Sequence, residues 1–171
     1  MTARYRPPRL LDTGDRLDEF ECRSAEQTNW LRRHARQSHA ANSTKVLVVT
    51  EPHSNTVVAY YAWCMASVRP ADLPARQRKG AGAYPQPVAL LARLGVDVRH
   101  EGGGLGSALL ADVIRRAATL GNEIGCRALL VHCENDAARS FYLRHAPEFE
   151  PSPTDELHLS LLMKDLLRLR L

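Results

Sequence analysis

The stretch "LARLGVDVRHEGGGLGSALLADVIRRA", Leu91 to Ala117, constrains this chain more than any other. A strand-like apolar run meets a cluster of glycines and gives way to an amphipathic helical pattern. Of the chain's 10 glycines, Gly95, Gly102, Gly103, Gly104 and Gly106 fall inside it. Glycine at a strand-to-helix junction permits a tight turn and lets backbone approach a ligand where a Cβ would collide. The helical pattern opens at Leu105, so its unpaired N–H groups and positive dipole end face the loop, an arrangement suited to phosphate. A Walker A loop requires Gly-Lys-Ser/Thr, and here Ser107 follows Gly106 with no lysine. A dinucleotide fingerprint requires a third Gly or Ala, and the corresponding residue is Leu109 or Ser107. Neither motif is present. A loop that merely turns the chain is the competing interpretation.

At 171 residues, 44% hydrophobic and 25% charged, the chain has an ordinary soluble composition and enough length for a full core. A single domain over residues 1–171 is expected. No apolar run reaches the length that spans a bilayer. The opening "MTARYRPPRLLDTGD" lacks the apolar segment of a secretory signal. Cys22, Cys64, Cys126 and Cys133 form no Cys-x-x-Cys pair, so reduced thiols and a cytoplasmic location are expected. His132 and Cys133 are neighbours on a strand-like run and point to opposite faces, so with His145 they make a poor zinc set. No metal is expected.

Periodicity supplies the organisation. Ser24 and Gln27 form a capping-box pattern, which predicts a helix from Ala25 to Gln37. "KVLVVTE" and "TVVAYYAWCMASV" read as strands of a hairpin closed by "EPHSN". "RPADLPARQRKGAGAYPQP" is rich in proline and glycine and reads as an exposed loop with a short helical turn. "VALLARLGVDV" is a strand in which Gly95 marks a bulge or a close backbone approach. A helix from Leu105 to Leu120 presents Leu109, Leu110, Val113, Ile114 and Ala117 on its apolar side. "CRALLVHC" is a buried strand, "NDAARSFYLRH" a helix to His145 opened by Asn135 or Asp136, and "LHLSLLM" a strand. The order β-α-β-β-β-α-β-α-β-(β) suggests a mixed sheet with helices on both faces.

These segments resemble the GNAT superfamily of acyl-CoA N-acyltransferases, and within it the acetyltransferase toxins of bacterial toxin–antitoxin pairs. The resemblance spans nearly the whole chain, through "FECRSAEQTNWLRRHA", "LLARLGVDVRHEGGGLGSALL", "IGCRALLVHCENDAARSFY" and "PSPTDELHLSL". It implies an α/β (α+β) GNAT fold, with a central mixed, mostly antiparallel sheet and helices on both faces. It implies acetyl-CoA as donor, with the pyrophosphate on backbone amides of a Gln/Arg-x-x-Gly-x-Gly/Ala loop. Glu101-Gly102-Gly103-Gly104-Leu105-Gly106, followed by Ser107, matches that loop. Leu94, Gly95, Val96 and Val98 match the strand whose backbone amides hold the thioester carbonyl and pantetheine arm. Asn135 reads equally as a cofactor contact and as a plain N-cap. The chain departs from the pattern at Glu101, where the superfamily prefers a cation or amide and where the side chain is expected to turn to solvent. It departs again at "RHAPEFEP", His145 to Pro151, where a His-Gly-Phe turn is usual.

Acyl transfer from a thioester to an amine needs a neutral amine, a hold on the developing oxyanion and a proton for the leaving thiolate. Tyr142 is the candidate general acid, since a phenol with a pKa near about 10 keeps its proton at neutral pH. Without the resemblance, a half-buried core tyrosine is the simpler reading. The net charge of +4 and the cations Arg32, Arg33, Arg36, Arg69, Arg76, Arg78, Lys79, Arg115, Arg116, Lys164, Arg168 and Arg170 suit an RNA backbone as a set, though any one can be plain surface. The resemblance implies aminoacyl-tRNA as acceptor, a small ribbon-helix-helix antitoxin as partner and no membrane, and it accommodates a homodimer. A GNAT enzyme acting on a protein or small-molecule amine is the first alternative. A non-catalytic acyl-CoA-binding module is the second.

Overall fold

The first helix starts where its capping pattern predicts. In the computed structural model, which describes residues 4–169, the Ser24 side chain accepts from the Gln27 N–H at 3.1 Å. The expected single helix is two: α1 (Ala25–Arg33) and α2 (Ala35–Ala40). The break falls at His34, whose φ of −120° lies outside the helical range. Past it, Arg36 donates to the carbonyls of Asp12, Thr13 and Asp15.

Before these helices, β1 (Arg9–Leu10) pairs antiparallel with β2 (Lys45–Thr50). Its two residues are too few for alternation to announce a strand. The hairpin of β2 with β3 (Val57–Val68) is as expected. The Pro-rich loop holds a 3₁₀ turn at Pro70–Asp72 and a one-turn helix, α3 (Ala75–Arg78). β4 (Gln86–Val96), α4 (Leu105–Glu123), β5 (Ala128–His132) and α5 (Asp136–His145) follow. β6 (Glu150–Pro151), β7 (His158–Leu162) and α6 (Met163–Leu166) complete the chain. The seven strands form one sheet in the order β1-β2-β3-β4-β5-β7-β6. β4 and β5 run parallel, and the β5–β7 and β6–β7 pairs are antiparallel. Among the described residues no helix is long and apolar enough to cross a membrane.

Two compact units divide the chain. In the first, residues 1–64 and 92–112, Phe20, Leu31, Val46, Val48, Val57 and Tyr60 build a core. Trp30 stacks on Tyr60 with planes 9° apart, and the Tyr60 hydroxyl donates to the Gln27 carbonyl at 2.7 Å. Burying each such side chain contributes about 1.5–3 kcal/mol.

The second unit, residues 65–91 and 113–171, centres on Val68, Leu73, Val88, Ala128 and Leu130. Its long loop is fastened at the base. Gln77 is wholly buried; its amide donates to the Ser160 carbonyl at 3.1 Å and accepts from the Ser160 hydroxyl at 2.7 Å. Arg127 donates to the carbonyls of Gln77 and Lys79 at 2.8 and 2.7 Å. The departure at "RHAPEFEP" becomes a turn in which the Phe149 N–H donates to the Ala146 carbonyl at 3.1 Å. Phe149 is thereby buried with its ring edge toward Tyr142.

Candidate active site

The glycine cluster forms the turn between β4 and α4. Gly102 and Gly104 have φ of +78° and +82°, a region that costs an L side chain roughly 1–2 kcal/mol. Nothing lies within 4 Å of a Cβ built on Gly102, so backbone conformation, not space, requires glycine there. The Ala108 N–H donates to the Gly104 carbonyl at 3.0 Å. The N–H groups of Leu105, Gly106 and Ser107 come before the helix's own acceptors begin, and they carry the positive end of its dipole. The Ser107 hydroxyl donates back to the Gly104 carbonyl at 3.0 Å, and its N–H has no acceptor within the helix.

Gly95 is a close approach. A Cβ there would meet Tyr60 Cε1 at 3.1 Å, Cys22 Sγ at 3.3 Å and Phe20 Cζ at 3.4 Å. Two residues on, Asp97 is fully buried. Its carboxylate accepts from the Arg99 side chain at two 2.9 Å contacts, from the Arg99 N–H at 2.9 Å and from the Glu21 N–H at 3.0 Å. Burial alone would raise its pKa; the Arg99 side chain, the two N–H groups and the arginine charge outweigh it and hold the carboxyl at about 2. Neighbouring N–H groups are also engaged: Asp97 donates to Val58 and Val98 to Glu21, at 2.8 and 2.9 Å. The Val98 amide, expected to face the cofactor, is thus bonded to protein. Leu94 and Val96 are partly exposed on the strand.

Glu101 is exposed at the surface, and there it is paired with Arg23. Arg23 Nε donates to both of its oxygens, at 2.9 and 3.1 Å, and Arg23 Nη2 to Oε2 at 2.9 Å. Sequence reasoning missed this pair, and a separation of 78 positions left no pattern to find it by. Asp97 was missed as well. Its signal was a lone acid at the end of an apolar strand, two residues before an arginine.

In the second unit, Asn135 caps α5 by accepting from the Ala138 N–H at 2.9 Å, which bears out the N-cap reading and occupies its carbonyl oxygen. Tyr142, 8% exposed, sits edge-on to Phe141 and Phe149. Among the described residues its hydroxyl makes no hydrogen bond. Burial, then the neighbouring Cys133, pushes its pKa well above the ordinary phenol value. Burial likewise lifts the Cys133 thiol to about 11, with Arg139 opposing and Asp155 adding. Both groups therefore keep their protons at neutral pH.

β4 pairs with β5 as far as Leu91 and Val131. The next residue, His132, faces a cavity of about 300 Å³ that it lines with His158, Ser67, Arg69, Asp72 and Ser152. The two imidazoles stack face to face. Burial, then His158, lowers the His132 pKa, with Asp155 opposing.

The basic set divides. Arg69 is paired with Asp72 at 2.8 Å, and Arg76 with both Glu150 and Asp165. Arg36 is spent on backbone carbonyls. Arg32, Arg33, Arg78, Lys79, Lys164 and Arg168 are exposed. Arg170 lies outside the described residues.

A sheet of this order, with a parallel β4–β5 pair and a glycine turn feeding α4, is the acetyltransferase architecture. The acetyltransferase (GNAT) family model matches residues 14–146, and the chain belongs to that family. It is 41% identical over 161 residues to the tRNA-acetylating toxin of Mycobacterium tuberculosis, with 94% of each chain covered. Its fold matches that of the toxin AtaT complexed with acetyl-methionyl-tRNAfMet, at a TM-score of 0.85, 22% identity and coverage of 94% and 96% of the two chains. It also matches a tyrosine-to-phenylalanine variant of AtaT bound to the C-terminus of the antitoxin AtaR and acetyl-CoA. There the TM-score is 0.77, the identity 21% and the coverage 93% and 94%.

Proposed function

We propose that this acetyltransferase carries the acetyl group of acetyl-CoA to the α-amino group of aminoacyl-tRNA, and so blocks translation as the toxin of a toxin–antitoxin pair. The observation that supports this most is the 41% identity to a tRNA-acetylating toxin across 94% of both chains.

The glycine turn fits the donor. The left-handed Gly102 and Gly104 shape the loop, and the N–H groups of Leu105, Gly106 and Ser107 have no acceptor within the helix. These amides hold the pyrophosphate. Leu94, Gly95 and Val96 contribute strand backbone to the pantetheine arm, whereas Val98 contributes no N–H. Asn135 retains its amide NH₂ for a contact. The donor brings an activated thioester.

Tyr142 supplies the proton that the leaving thiolate takes as the C–S bond breaks and the amine nitrogen bonds to the acetyl carbon, and the proton that this nitrogen then sheds restores the phenol. The acceptor amine must first lose a proton of its own. An α-amino group titrates near about 8, against about 10.4 for a lysine side chain, so a weak base suffices. His132, with its lowered pKa and its place on the cavity, takes that proton. The exposed cations Arg78 and Lys79 contact RNA phosphates, and a small ribbon-helix-helix antitoxin closes the site with its C-terminal segment.

Controlled expression in bacteria, with mass spectrometry of the tRNA pool, tests this reading. Acetylated aminoacyl-tRNA is expected. An unmodified pool in cells that hold soluble, CoA-binding protein would redirect the activity to a protein or small-molecule amine. The engagement of Arg36, Arg69 and Arg76 within the protein is the one observation that favours that second reading.

A further inference from the structure

A carboxylate at the entrance to a phosphate site should repel its ligand, yet Glu101 directly precedes the glycine turn. The charges around it explain how the site tolerates this. Arg99 is committed to the buried Asp97. His100 accepts or donates at Tyr5 Oη, 2.7 Å away, and pairs with Glu51 at 3.3 Å. Arg23 differs from both. It grips Glu101 with Nε and Nη2 only, and its side chain remains 83% exposed while that of Glu101 is 32% exposed. Among the described residues Nη1 makes no hydrogen bond. A guanidinium carries five N–H donors in one rigid plane, so the grip on Glu101 fixes the direction in which the unused donors point.

We propose that Arg23 is a donor-binding residue: Glu101 serves as its holder, and Arg23 contacts the phosphates of acetyl-CoA through Nη1. The cation that the superfamily pattern carries at position 101 is thus delivered from position 23, on the segment leading into α1. This assignment rests on the acetyl-CoA reading of the glycine turn. It favours the pyrophosphate over the 3′-phosphate, because Glu101 is covalently next to the turn.

Calorimetric titration with CoA tests the contact without using turnover. Arg23→Ala should weaken binding roughly three- to tenfold, the scale of an exposed charge-assisted contact. The melting temperature should hold, since the side chain is exposed. Glu101→Gln should bind at least as tightly as wild type, because the amide still accepts from Arg23 and no longer repels phosphate. The decisive comparison adds Arg23→Ala to Glu101→Gln. The double variant should remain several-fold weaker than Glu101→Gln alone. Equal affinity of those two would mean that Arg23 only offsets Glu101, and would overturn the contact. Wild-type affinity in Arg23→Ala would overturn it equally. Repeating the titration with dephospho-CoA locates the contact: a persisting defect assigns it to the pyrophosphate, and a vanished one to the 3′-phosphate. Gly104→Val separates this proposal from its parent. Loss there beside an unaffected Arg23→Ala sinks the arginine alone, whereas a wild-type protein that binds no CoA sinks both.

Discussion

His132 and His158 lie face to face on paired positions of β5 and β7, ring centroids 3.8 Å apart and planes 17° apart. Burial first, then the charge of His158, disfavours protonation of His132, while Asp155 opposes; the Arg69–Asp72 ion pair lines the same cavity. The unfolded chain therefore binds a proton at this position more readily than the folded one. The stability it contributes is present above the ordinary histidine pKa and is lost as pH falls from about 6.5. Melting temperatures measured from about pH 5 to about pH 8 should rise with pH, and His132→Gln should flatten part of that rise. An unchanged slope would remove His132 as its source.

Asp97 acts in a more acidic window. Its carboxyl is depressed from 3.8 to about 2, so the stability it adds is present above about pH 4 and disappears as pH falls toward about 2. That contribution is on the order of 2 kcal/mol. Asp97→Asn should lower the melting temperature at neutral pH and shrink the difference between neutral and acid melts. Equal acid sensitivity in the two proteins would argue against it.

Gly104→Val should abolish CoA binding with the fold retained. The substitution puts a β-branched side chain at φ +82° on an exposed turn, so the strain is local, about 1–2 kcal/mol. Calorimetry measures the loss, and circular dichroism checks the fold. Wild-type affinity would release the turn from phosphate binding.

Tyr142→Phe keeps the ring against Phe141 and Phe149 and removes the only proton it can give. Since its hydroxyl makes no hydrogen bond among the described residues, little stability should be lost. Turnover should fall by roughly 10²–10⁴-fold, and growth arrest on expression should be relieved. Wild-type rates would return Tyr142 to the core.

If charged tRNA is the acceptor, Arg78→Glu with Lys79→Glu should raise KM for aminoacyl-tRNA and leave CoA affinity nearly unchanged. Productive binding by wild type should weaken with salt, with a slope of up to about −0.9 for each neutralised phosphate on duplex. Acetylation assays at low and moderate salt decide this. A salt-independent rate that the variant matches would leave the pair as solubilising surface.

The parts of the fold that depend on local chemistry were legible in the sequence. Ser24 and Asn135 cap their helices because a short polar side chain reaches an N–H three residues on, a relation written within four letters. Leu109, Leu110, Val113, Ile114 and Ala117 announced a buried helix face, and all five are buried. Gly95 announced a close approach, which Tyr60, Cys22 and Phe20 enforce. What escaped were relations between residues far apart in the chain. Arg23 with Glu101, His132 with His158 and Arg76 with Glu150 and Asp165 exist only once the strands are ordered. Charge counting saw Arg76 and Arg69 as free cations because it sees no partners. β1 and β6, of two residues each, carry too little pattern to be given bounds from the sequence.

The reciprocal bond between Gln77 and Ser160 divides the long loop into two evolutionary regimes. At its base, Gln77 gives and receives through both ends of a wholly buried amide, and Arg127 claims two carbonyls beside it. A change there strands polar groups away from water, at about 1–3 kcal/mol each. Past Lys79 the tip from Gly82 to Pro85 is exposed, Tyr84 at 81%, and the Gln86 amide holds it through the carbonyls of Ala81 and Tyr84. Mutations can accumulate at the tip while the base stays fixed, so a lineage can exchange what the loop greets without redesigning the enzyme that carries it.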